Sequence, residues 1–252
     1  MIGIFDSGSG GLTVLHAIRQ VLPSADVIYF GDIKNAPYGS KSQEELSQLT
    51  IKALKLLEKR GATNFVSACN SVSASLALSV LDVFTQKEMQ IIEMVGPTVS
   101  YFKGSTAKIL LCATPATVAS GIYQNAFGMI DISVDTVACQ NLAGAIEFGK
   151  SKEEILAIIV ENFKDRTVGE YDVLVLACTH YPLVADIFAE LFPNIVIFDP
   201  ALAVAERVEK KFWPQESGSG DTHFVTSQDS GPFKAFIAKL FPSMQYTLEV
   251  VE

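Results

Sequence analysis

The sequence predicts an α/β chain made of two related units with mainly parallel sheets. Two observations predict it. Short, continuously apolar runs alternate with helical patterns along the chain, which is how parallel strands covered on both faces read. Two of those runs end in Ala-Cys, at Ala68-Cys69 and Ala177-Cys178, an offset of 109 residues. Apolar residues form 49% of 252, enough for the cores of one large domain or two ordinary ones.

The elements follow in order. A strand is expected over 2–5, ahead of Asp6-Ser7-Gly8 and a helix over 12–22. A second strand, 27–30, runs into Gly31-Asp32, and a helix follows over 44–59. A third, Asn64–Ser67, leads to Ala68-Cys69-Asn70. The pattern then restarts. A strand over 109–111 precedes Thr114-Pro115, and an apolar stretch over 141–146 precedes Glu147. A helix over Lys152–Phe163 comes before a strand over 173–176 that ends at Ala177-Cys178-Thr179. A strand over 195–198 precedes Asp199-Pro200. The first strands of the two series are offset by 107 residues, close to the cysteine offset, so the chain reads as a weak internal repeat. The first unit is assigned residues 1–95 plus 208–252, the second 96–207. Residues 214–221 read as an exposed loop, and 223–226 and 232–240 as a strand and helix completing one unit.

Composition removes several functions. The net charge is −9 and the basic residues are scattered, so neither nucleic acid nor an anionic membrane is expected as a partner. The uncharged stretches 62–81 and 109–130 contain asparagines, hydroxyl residues or proline and do not read as membrane spans. No basic segment precedes an apolar run at the N-terminus, so no secretory signal is expected. Cys69, Cys112, Cys139 and Cys178 form no CxxC pair, which argues against a zinc or iron–sulfur site and against a disulfide framework.

Four loops carry candidate chemistry. Asp6-Ser7-Gly8-Ser9-Gly10-Gly11 sits where α/β proteins bind ligands, at a strand's carboxyl end. As a dinucleotide loop it fails, because Thr13 stands at the third glycine position and Asp6 would face a pyrophosphate. A carboxylate-binding or catalytic loop fits better, with a capped glycine turn as the plainer reading. Cys69-Asn70-Ser71 places a thiol at a helix start, where the field is expected to lower its pKa from about 8.5 toward neutrality. Cys178-Thr179-His180 places a histidine two residues from a thiol, ahead of Pro182 and a helix start. Pro37-Tyr38-Gly39 and Thr114-Pro115-Ala116-Thr117 read as a turn and an N-cap that could also face a substrate. Glu147, taken alone, reads as a solvated helix residue.

Proton removal from an amino-acid α-carbon needs an electron sink or a close base with an acid on the opposite face. No lysine stands out as a Schiff-base site. Two thiols in equivalent loops supply that acid and base. Cys178 with His180 also fits a cysteine amidohydrolase, which leaves Cys69 without a role. A non-catalytic sensor of acidic amino acids on the same scaffold has no need of either thiol.

The segments Phe5-Asp-Ser-Gly-Ser-Gly-Gly-Leu, Pro37-Tyr-Gly, Ala68-Cys-Asn-Ser, Thr114-Pro-Ala-Thr and Cys178-Thr-His-Tyr-Pro run in the order found in glutamate racemases of the aspartate/glutamate racemase superfamily. The chain resembles that family over its whole length. The resemblance implies two flavodoxin-like units with the site between them and no cofactor. It implies Cys69 and Cys178 as acid/base residues, assisted by Asp6, Glu147 and His180. It implies substrate binding by Asp6, Ser7, Tyr38, Gly39, Asn70, Ser71, Thr179 and His180, with Thr114 and Thr117 lining the pocket. It also implies a cytoplasmic homodimer acting on glutamate and supplying D-glutamate for peptidoglycan, with aspartate as the alternative substrate. Ser71 departs from the family's threonine, and Gln140 and Gly144 stand where proline is expected.

Overall fold

A computed structural model describes residues 1–73, 90–213 and 218–251. The end of the uncharged stretch 62–81 and residues 214–217 of the tail loop lie outside the described residues. The first unit opens with β1 (Ile2–Asp6), α1 (Leu12–Val21), β2 (Val27–Gly31), α2 (Gln43–Lys59), β3 (Asn64–Ser67) and β4 (Gln90–Ile92). Helix α3 (Val95–Tyr101) leads into the second unit. That unit holds β5 (Ile109–Ala113), α4 (Pro115–Ala119), α5 (Ile122–Gly128), β6 (Val134–Ala138), α6 (Leu142–Glu147), α7 (Lys152–Phe163), β7 (Val173–Ala177), α8 (Ala185–Leu191) and β8 (Val196–Phe198). The chain then returns through α9 (Ala201–Phe212), β9 (Thr222–Thr226), α10 (Gly231–Leu240) and β10 (Thr247–Val250).

The strands form a six-stranded sheet, β10-β9-β2-β1-β3-β4, and a four-stranded sheet, β6-β5-β7-β8. Every pairing among the described strands is parallel. Within each unit the first four strands take the same order: second, first, third, fourth. This is the flavodoxin-like doubly wound arrangement, and its ligand crevice lies between the ends of the first and third strands. The internal repeat seen in the sequence is therefore one of topology. Strands β1, β2, β5 and β7 are buried along their whole length, because helices cover both faces of each sheet. Four apolar clusters fill those layers, two on each sheet.

Local chemistry starts the helices where the sequence does. Ser42 and Glu45 form a capping box at α2, and Ser151 and Glu154 form another at α7. Thr114 caps α4, with Pro115 in the first turn. One division shifts. The sequence assigns residues 201–207 to the second unit, but Ala201, Val204, Ala205 and Val208 of α9 pack into the same core as Leu12, Val14 and Ile18. The chain therefore recrosses between β8 and α9.

Register brings the loops together. Phe5 pairs with Ser67, so Asp6 and Ser7 emerge beside Ala68 and Cys69. Ala113 pairs with Ala177, so Thr114 emerges beside Cys178. Among the described residues, no helix is long and apolar enough to cross a membrane.

Candidate active site

The two sets of strand-end loops face each other across the junction of the units. The glycines of the β1 loop make this approach possible. A Cβ on Gly8 would lie 2.5 Å from Glu147 Oε2, and one on Gly10 would lie 2.5 Å from Thr179 Oγ1. The Gly-x-Gly pattern is thus a close-approach surface between two units. Tyr29 pins this loop, its hydroxyl donating to the Gly8 carbonyl at 2.7 Å. Asp6 is fully buried. It accepts from Gly8 N–H at 3.0 Å and from the Thr179 hydroxyl of the other unit at 3.1 Å. Burial pushes its carboxyl above the usual range, although His180 opposes that.

Cys69 follows β3, and its thiol donates to Ser7 Oγ at 3.8 Å. The expected lowering of this thiol is not what the surroundings produce. Burial pushes it well up, and the nearby Asp6 charge pushes further. The Val72 N–H acts the other way without prevailing. Cys69 therefore holds its proton in the closed structure.

Cys178 has a different neighbourhood. His180 Nδ1 lies 3.9 Å from its sulfur, and His180 Nε2 lies 2.6 Å from Glu147 Oε2. Burial alone would push the imidazole down. The contacts with Cys178 and Glu147 override that and hold it well above its ordinary value. The segment after Thr179 is a 3₁₀ turn, Tyr181–Val184, followed by α8, so the helix expected directly after Cys178 begins later.

Glu147 is the clearest departure from the unaided reading. It is 1% exposed and not solvated. Helix α6 carries it to the junction, where Ser9 of the first unit donates from its N–H to Oε2 at 2.7 Å and from its hydroxyl to Oε1 at 3.1 Å. The line Cys178–His180–Glu147–Ser9 thus spans both units.

The remaining polar groups close the other side. Ser71 Oγ lies 3.0 Å from Thr114 Oγ1 and 3.5 Å from Thr117 Oγ1. The hydroxyl that Ser71 keeps is the part that bridges the units. Thr114 caps α4, as expected, and its hydroxyl also faces this cluster. Tyr38 donates to Asp32 Oδ2 at 2.6 Å, and Asp32 also accepts from Asn35 and Ser227. Asn70 accepts at Oδ1 from the Tyr123 hydroxyl at 2.5 Å.

These loops enclose a cavity of about 10 Å³, room for roughly one water. Ser7, Tyr38, Gly39, Cys69, Asn70, Ser71, Thr114, Cys178, Thr179 and His180 line it. Asp6, Thr117 and Glu147 stand one contact behind, through Thr179, Ser71 and His180 respectively. A wider pocket of about 410 Å³ adjoins it and shares Pro37, Gly39, Thr114 and Ala143. Cys112 and Cys139 are buried in the second unit's core and do not line the small cavity.

The Asp/Glu/Hydantoin racemase family profile matches residues 11–208. The chain belongs to this family. Among curated racemases, glutamate racemase from Aquifex aeolicus is 34% identical over 224 residues, covering 89% of this chain and 88% of the relative. Among solved structures, glutamate racemase from Francisella tularensis in complex with D-glutamate matches with a TM-score of 0.85 at 27% identity. It covers 100% of this chain and 97% of that one. Glutamate racemase from Thermus thermophilus in complex with β-chloro-D-alanine matches with a TM-score of 0.83 at 27% identity, over 100% and 96% of the two chains. The racemase fold therefore spans both units.

Sequence reasoning missed three residues around this candidate site: Ser9, Asp32 and Tyr123. Ser9 lies inside the Asp6–Gly11 motif without a role of its own, and Asp32 reads only as the end of the second strand. Tyr123 carries no local signal, since its partner is 53 residues away.

Proposed function

We propose that this chain interconverts L- and D-glutamate by a two-base reaction without a cofactor. One observation supports this above the rest: two thiols at topologically equivalent strand ends line one cavity, each with its own proton-handling partner. The named relatives support the choice of glutamate.

The chemistry follows from the asymmetry of the two sides. His180, held as imidazolium by Glu147, places Nδ1 3.9 Å from the Cys178 sulfur, where it can exchange a proton with that thiol. Cys69 keeps its proton. In one direction the Cys178 thiolate removes the α-proton and its electron pair stays on carbon. Cys69 then donates a proton to the opposite face. In the other direction the roles exchange. Buried Asp6 supplies a negative charge toward the substrate's ammonium, and the Ser71–Thr114–Thr117 hydroxyls supply donors for a carboxylate. The same reading carries a homodimer and a role in supplying D-glutamate for peptidoglycan. Light scattering in solution tests the first.

The Cys178–His180–Glu147 line also favours a second reading, a cysteine amidohydrolase. Chiral chromatography of L-glutamate incubated with the purified chain separates them. Appearance of D-glutamate, lost in Cys69→Ala and in Cys178→Ala, supports the racemase. Ammonia release from glutamine that survives Cys69→Ala supports the hydrolase. Turnover of aspartate in place of glutamate moves the substrate.

A further inference from the structure

Asn70 lines the cavity and is 2% exposed, yet its two amide atoms are treated unequally. Oδ1 accepts from the Tyr123 hydroxyl at 2.5 Å. Nδ2 is buried and has no hydrogen-bond partner among the described residues. A buried amide donor is costly to leave unpaired, and such orphans mark positions where a bound group completes the bonding.

Tyr123 has one proton to give and a fixed place from which to give it. It lies on α5 of the second unit, fully buried, with its ring 6.5 Å from that of Phe127 in a stacked arrangement. Burial, aided by the Glu93 charge, pushes the phenol up, so the hydroxyl stays protonated and remains a donor. With Oδ1 held in this way, the Asn70 amide keeps its N–H groups for the cavity. An N–H pair suits a carboxylate oxygen and repels an ammonium.

We propose that Tyr123 is a positioning residue: reaching across from the second unit, it holds the Asn70 oxygen and so turns the Asn70 amide N–H toward a carboxylate of the substrate. This rests on the racemase reading of the cavity. It also makes Asn70 ready only when the two units are together, because its partner belongs to the other unit.

The test uses the full chain with glutamate as the probe. Tyr123→Phe keeps the ring and removes only the hydroxyl. KM for glutamate should rise on the order of tenfold while kcat stays within about threefold, the pattern of lost ground-state binding. Asn70→Asp exchanges the donor for an acceptor and should raise KM further. In an Asn70→Ala background, Tyr123→Phe should change KM no more, since the group it positions is gone. Thermal unfolding of each variant reports folding separately. A Tyr123→Phe chain with lowered thermal midpoint but unchanged KM would show a structural role only and overturn the proposal. An Asn70→Asp chain with unchanged or lower KM would overturn the carboxylate assignment. A wild-type chain that does not racemise glutamate would overturn the site reading itself, and the proposal with it.

Discussion

A buried carboxylate needs donors, and Glu147 takes them from Ser9 twice and from His180 once. This arrangement makes His180 an imidazolium and gives a definite pH dependence. The folded value of His180 is raised, so its stabilising contribution is complete below about 6.5 and fades as pH rises through the raised value. Glu147→Gln removes the charge that sustains it. The alkaline limb of kcat/KM should then move to lower pH, and a pH–rate profile checks this. Ser9→Ala leaves Oε1 without its hydroxyl donor and should cost about 1–3 kcal/mol in urea unfolding. The two cysteines were legible because the Ala-Cys ending recurs at one offset. Glu147 was not legible as a buried residue, because its partners lie 138 and 33 residues away and no local period reports them.

Elements differed in how openly the sequence declared them. Strands buried on both faces read as continuous apolar runs, and β3 and α7 fall on the expected residues. Strand β6 escaped notice. It is an edge strand whose polar Asp135 and Thr136 interrupt the apolar run. Short β4 and β10 are also edge strands with exposed residues. At the β8–α9 junction, Asp199 accepts from Ala201 N–H at 2.9 Å, and burial raises its carboxyl to about 6. The folded chain therefore binds this proton more tightly than the unfolded chain does. Stability falls as pH rises from about 4 to about 6 and stays lower above. Asp199→Asn keeps the acceptor and removes the charge. It should stabilise the protein by about 1–2 kcal/mol near pH 7, with the advantage vanishing near pH 4. Calorimetry across that range measures it.

At the scale of the whole molecule, the site exists only where two units meet. Ser9–Glu147, Asp6–Thr179, Asn70–Tyr123 and Ser71–Thr114 all cross that junction. The cavity between the cysteine loops, about 10 Å³, adjoins the wider pocket, and we expect the units to part when an amino acid enters it. Glutamate should then hold them together, and hydrogen exchange at the Ser9 and Thr179 amides should slow when it is added. Exchange unchanged by saturating glutamate would argue against substrate binding at this junction. The repeat was legible in outline, while the closeness of the halves was not. It depends on glycines whose missing Cβ atoms matter only against the opposite unit.

The proposed pair of thiols, acting on opposite faces of the substrate, predicts a labelling pattern that one base does not give. L-glutamate is incubated in heavy water and both enantiomers are recovered early, before much conversion. D-glutamate should carry deuterium at the α-carbon, while the recovered L-glutamate should remain largely unlabelled. Equal early labelling of both enantiomers would mean a single exchanging base, and would contradict the assignment of Cys69 and Cys178 as the pair.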